Sequence, residues 1–182
     1  MDYTITELDL SNKYLTELPD LSIYPNLIKL DISYNQLTQL DNLPQSLQVL
    51  ICNNSQITKL NDLPQLLQIL NCSNNYITEL NPPQLLQELD CSMNQITKLN
   101  DLPQSLQKLN CSHNYITELN PPQSLQELDC SMNQITRLDN LQQSLQKLHC
   151  HWNQITELNN LPQLLQELDC SMNQITELNN LP

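Results

Sequence analysis

The chain of 182 residues contains no glycine, no phenylalanine and no alanine. At the average usage of about 7 % a chain of this length would hold roughly 13 glycines. Their absence excludes whole classes of site. A P-loop and a dinucleotide-binding turn both need backbone that approaches phosphate with no Cβ in the way. A nucleophile elbow of the G-x-S-x-G type cannot be written. Collagen-like and glycine-linker chains are excluded as well. Basic residues are scarce: 7 Lys and Arg stand against 20 Asp and Glu, a net charge of −13. Nucleic acid and anionic membrane both attract basic surfaces and are not expected partners. Charged residues make up only 15 % of the chain, against about 25 % ordinarily. Its polar surface is therefore mostly amide and hydroxyl. No apolar run reaches the roughly 18 residues of a transmembrane helix. Met1 to Leu10 carries neither a basic segment nor an apolar core, so no secretory signal is expected there.

What the chain does have is a repeat. Leu27, Leu47, Leu67, Leu86, Leu106, Leu125, Leu145 and Leu165 each open the frame L-x-x-L-x-[C/I]-x-x-N-x-[I/L]-T-x-L, at spacings of 19 or 20 residues. A less regular copy starts at Ile5, with Leu8, Leu10 and Leu15 in frame. That gives nine copies over residues 5–182, after a lead-in of residues 1–4. Alternation around Leu89 and Cys91 has the period of a strand. One strand per copy stacks as a parallel sheet, with the Leu and Ile columns forming one continuous core. The return segments, such as Leu99 to Ser105, are too short and too rich in proline for a helix, and read as extended, polyproline-like or 3₁₀. A longer period lies above the first: residues 67–105, 106–144 and 145–182 are near-copies.

This frame resembles the leucine-rich repeat family, whose signature is L-x-x-L-x-L-x-x-N-x-L. The resemblance covers essentially the whole chain and implies a curved solenoid with its sheet on the concave side. The spacer "LPQSLQEL" resembles the short repeats of bacterial effectors. The richness in Asn, Gln and Ile is similar to repeats of large DNA viruses of amoebae. Bacterial relatives carry a ligase domain after their repeats; the repeats here end with the sequence, and that activity is not expected.

Seven cysteines, Cys52, Cys72, Cys91, Cys111, Cys130, Cys150 and Cys170, share one position in the copies. Strand spacing of about 4.8 Å fits a disulfide badly, since bridged Cβ atoms lie about 3.8 Å apart. A straight ladder cannot close a metal tetrahedron either. Buried free thiols fit, and reduced thiols point to a cytoplasmic, intracellular setting. Asn35, Asn75, Asn94, Asn114, Asn133, Asn153 and Asn173 form a second column, interrupted by Lys13 and Ser55. Each amide is expected to satisfy backbone groups where the strand turns away, with Asn12 partly replacing Lys13. Residues with positive φ are expected to be Asn or Asp.

Function belongs on the outward strand face. Its third column alternates in sign from Glu88 through Lys108, Glu127 and Lys147 to Glu167, a self-pairing ladder. Its fifth column carries Asp90, Asp129 and Asp169, two strands apart and so near 10 Å. That exceeds the ~5.5 Å of a retaining carboxylate pair, and catalysis is not expected. Tyr34, Val49, Ile51 and Ile69 place apolar groups outward, as contact surfaces do. Met93, His113, Met132, Trp152 and Met172 form another column along one edge of the sheet, and Trp and Met are typical of adaptable binding surfaces. His149 and His151 lie on one face between Asp129 and Asp169, where a divalent metal is weighed against ordinary surface histidines.

The leading expectation is a non-enzymatic scaffold, without cofactor, that binds a partner protein, basic in character, through its concave face. The alternative is a homo-oligomer assembled through ends that carry no polar cap and expose Leu178 and Leu181. A metal site at His149 and His151 comes third.

Overall fold

In the computed structural model, residues 4–99, 101–138 and 141–178 are described. Most of the lead-in, and Leu181, lie outside them. The described residues form nine short parallel strands: β1 (Glu7–Asp9), β2 (Lys29–Asp31), β3 (Val49–Ile51), β4 (Ile69–Asn71), β5 (Glu88–Asp90), β6 (Lys108–Asn110), β7 (Glu127–Asp129), β8 (Lys147–His149) and β9 (Glu167–Asp169). They pair strictly in chain order in one sheet. The expected arrangement of one strand per copy is therefore what forms. The register is unshifted throughout, so the middle leucines stack from Leu8 to Leu168.

Each coil has the same cause. The middle strand residue points inward and is fully or nearly fully buried from Leu30 to Leu148. Its two neighbours point out. The core continues through the cysteine column, through Leu37, Ile57, Ile77 and their successors, and through Leu40, Leu60 and Leu80. Among the described residues the return segments contain no helix. Each closes with a single turn in which the leucine N–H opening the next coil reaches back three residues, as from Leu47 to the Pro44 carbonyl at 3.2 Å. Proline fits there because its carbonyl accepts and no N–H is required of it.

The two coil lengths have separate solutions on the convex side. Twenty-residue coils turn at Asn42, Asp62, Asp101 and Asn160, all with φ near 50°. The nineteen-residue coils replace that turn with the buried pairs Pro82–Pro83 and Pro121–Pro122.

The asparagine ladder forms as expected. Asn94 Nδ2 donates to the carbonyls of Cys72, Cys91 and Ser92 at 3.0 to 3.1 Å. Its Oδ1 accepts the Ile77 N–H at 2.9 Å. One amide thus joins two coils. Two positions break the pattern. Ser55 is too short to reach, and its buried hydroxyl has no hydrogen-bond partner. Beside the second, Lys13, Asn12 takes a left-handed backbone position, with φ of 54°. The Lys13 N–H is accepted by Asn35 Oδ1 at 3.0 Å.

The positive-φ expectation needs correction. Half of the fourteen described residues in this region are Asn or Asp, but the other seven are Tyr14, Tyr34, Met93, His113, Met132, Trp152 and Met172. The coil must turn left-handed at the residue before each ladder position, whatever the side chain. Packing and the ladder enforce a conformation that these residues do not favour alone.

Candidate interaction face

On the outward face, the third column pairs along the sheet. Lys29 reaches Glu7 at 3.4 Å, Lys108 reaches Glu88 at 3.3 Å and Lys147 reaches Glu127 at 3.8 Å. Each lysine turns toward the preceding strand. These pairs are well exposed, so each contributes at most about 1 kcal/mol.

The fifth column has a structural role that the isolated residues did not reveal. Asp90 Oδ1 accepts both the Ser92 N–H at 3.0 Å and the Ser92 hydroxyl at 2.7 Å. Asp31, Asp129 and Asp169 do the same with Ser33, Ser131 and Ser171. Asn71 and Asn110 make the same two bonds. Acid and amide supply the same oxygen, so the charge is not what the turn uses, and coils three and eight turn with Ile51 and His149 in its place. Hydrogen bonds from the Ser171 hydroxyl and N–H hold the Asp169 carboxyl below the usual range. The signal was present in the sequence as the recurring Asp-x-Ser.

Coil eight replaces both members of that motif, with His149 for the acid and His151 for the serine. The structure sends them to different partners. His149 Nε2 lies 3.0 Å from Glu167 Oε1, and His151 Nδ1 lies 3.2 Å from Asp169 Oδ2 and 3.0 Å from the Ser131 hydroxyl. Asp129 is not drawn in. Among the described residues no three His, Cys, Asp or Glu side chains gather to hold a metal ion.

Next to this column runs the left-handed one. Met93, His113, Met132, Trp152 and Met172 all have φ of 53° to 55° and all project outward. Trp152 is 55 % exposed and Met172 58 %. Tyr34 belongs to this ridge by its φ of 56°. It is thereby separated from Val49, Ile51 and Ile69, which lie together on the sheet: Val49 pairs with Ile69, and Ile51 ends the same β3.

A further apolar position was missed. Leu66 and Leu85 open onto the strand-entry side of adjacent coils at 48 % and 50 % exposed. Leu164 repeats them before coil nine at 59 % exposed. Ser46, Ser105, Ser124 and Ser144 take the position in four other coils, and there the hydroxyl donates to the preceding coil, as Ser46 does to the Leu27 carbonyl at 2.7 Å. Ser105, Ser124 and Ser144 repeat the bond. The exchange of Ser for Leu in "LPQSLQ" and "LPQLLQ" was the available signal.

The cysteine column carries no exposed chemistry on its inner coils. All seven thiols are free, and all but Cys170 are buried. Burial pushes the Cys52 and Cys150 thiols up to about 12. The others are raised too, Cys170 among them. A thiol held protonated in this way is a poor nucleophile and a poor metal ligand.

Known proteins share this architecture. The profile described as Leucine Rich repeats (2 copies) matches residues 104–143, and the single Leucine Rich Repeat profile matches 26–50 and 66–85. The leucine-rich repeat domain of a Shigella effector superposes with a TM-score of 0.75 at 32 % identity, over 81 % of this chain and 69 % of that one. The chain belongs to the leucine-rich repeat family. YopM from Yersinia enterocolitica WA-314 is similar at 36 % identity and a TM-score of 0.90, with 96 % of this chain and 40 % of YopM covered. The functional domain of InlJ from Listeria monocytogenes, described as including a cysteine ladder, matches at 34 % and 0.82, over 90 % and 39 % of the two chains. This leucine-rich repeat chain thus spans about two fifths of the length of those two relatives. Comparison with curated proteins gives no match. Leucine-rich repeat proteins are in general non-enzymatic interaction scaffolds. No described helix is long and apolar enough to cross a membrane.

Proposed function

We propose that this chain is a non-enzymatic scaffold that binds a partner protein through its concave sheet face and the ridge beside it. The observation that carries the reading is the ridge itself. Methionine, histidine and tryptophan stand exposed at a backbone position where asparagine would sit more comfortably. Folding alone gives no reason for that choice. Trp152 has the side chain most enriched in binding hot spots, and Met93, Met132 and Met172 offer adaptable surface around it. Val49, Ile51 and Ile69 supply a second apolar contact on the sheet. Asp90, Asp129 and Asp169 lie on the same side, and a net charge of −13 favours a basic partner over nucleic acid. Protonated, unbridged thiols suit a reducing, intracellular setting.

The test uses the full chain as bait in affinity capture. Trp152→Ala combined with Ile51→Asp is expected to release the partners that the unaltered chain retains. Retention of every partner by the double variant would overturn the reading. Self-association is the second reading, favoured by the exposed Leu66 and Leu85. Light scattering across concentration decides it: a strict monomer at high concentration sinks it.

A further inference from the structure

The ridge and the fifth column share a period. On coils five, seven and nine, an aspartate on the strand is followed three residues later by an exposed methionine: Asp90 with Met93, Asp129 with Met132 and Asp169 with Met172. The coils between carry Asn110 with His113 and His149 with Trp152. Strands stack about 4.8 Å apart, so each carboxylate and thioether recurs at about 9.6 Å along the sheet. A polyproline II helix rises about 3.1 Å per residue with three residues per turn, so its like-facing positions recur at about 9.3 Å. The mismatch is about 0.3 Å per period. An extended β segment repeats its faces at about 6.8 Å and an α-helix turns at about 5.4 Å, so neither keeps step.

The carboxylates are suited to such a ligand. Ser92 and Ser131 occupy only Oδ1 of Asp90 and Asp129, which fixes each carboxylate and leaves Oδ2 to accept from a cation. Trp152 is an exposed aromatic on which a guanidinium or a proline ring can stack, and arginine is the cation best held that way. Tyr115, also exposed, adds a second aromatic near the ridge. A polyproline segment arrives already ordered, so it loses little entropy on docking against aromatic and thioether groups.

We infer that the surface formed by the ridge and the aspartate column binds a basic polyproline II segment of a partner protein, with arginine or lysine at every third residue. The inference rests on the scaffold reading above and names its ligand. Calorimetry with the full chain and synthetic peptides tests it. A peptide of four Arg-Pro-Pro triplets is expected to bind about tenfold more tightly than a peptide of the same composition with its arginines contiguous. Asp90→Asn with Asp129→Asn is expected to weaken the triplet peptide about tenfold. That variant should keep the fold, because Asn71 and Asn110 already serve the same turn. Equal affinity for the two peptides, or no binding of either, overturns the inference. So does sedimentation showing the ridge covered by a second copy that the triplet peptide does not displace. Competition separates the two levels. If the capture variant loses its partners but the triplet peptide never displaces them, the ligand is wrong and the scaffold reading stands. If that variant keeps them, the scaffold reading itself fails.

Discussion

In every coil two neighbouring residues face opposite demands. Asn94 turns inward and ties two coils with four hydrogen bonds. Met93, one residue earlier, holds a left-handed backbone at φ of 54° with its side chain in solvent. The ladder position repays its residue in structure, so asparagine recurs. The ridge position costs about 1–2 kcal/mol for a residue that is not glycine or asparagine. Coils three and four do place asparagine there, at Asn54 and Asn74. The same backbone thus accepts the comfortable residue, and coils five to nine do without it. Strain of this kind, kept where a cheaper residue would fold, is the ground for the contact surface proposed above.

Breaking the inward side should have the largest effect. Asn114 donates to the carbonyls of Cys91, Cys111 and Ser112 and accepts from the Ile96 N–H. Asn114→Ala leaves buried backbone groups unpaired, and a loss of about 3 kcal/mol in urea unfolding is expected. A loss below about 1 kcal/mol would mean that water or a shifted backbone replaces the rung. A smaller gain sharpens the same contrast. Ser55 is the gap in the ladder, with its hydroxyl buried and unpaired. Ser55→Asn is expected to restore the rung and add about 1 kcal/mol, read as a higher urea midpoint. A lower midpoint would show that coil three has repacked around serine.

Much of this was legible in the chain. The spacing of Leu27, Leu47 and Leu67 gives the strands and their register, because a period near 20 residues allows one strand and one return. The asparagine column also follows, since its amide matches a turn with unpaired backbone on both sides. The ridge was visible as a column but not as a strained one. Side-chain preference places asparagine in left-handed turns, whereas here the stacked coils dictate the conformation and Met93 and Trp152 comply. Spacing alone shows the aspartates as an outward column too widely spaced for a carboxylate pair. Their bonds to serine two residues on show half of each carboxylate spent on the fold. Leu66, Leu85 and Leu164 were hidden because one more leucine in a leucine-rich chain looks like core, although all three stand where serine bridges four other coils.

The most direct measurement is urea unfolding of a Met93→Asn, Met132→Asn, Met172→Asn variant, with calorimetry of the Arg-Pro-Pro peptide on the same sample. Removing the left-handed strain should raise stability by about 1 kcal/mol per site. Removing the thioethers should weaken the peptide at the same time, so that misfolding cannot explain the loss. Stability unchanged or lowered, or peptide affinity intact, would contradict the view that these residues hold a costly backbone for the sake of the surface they present.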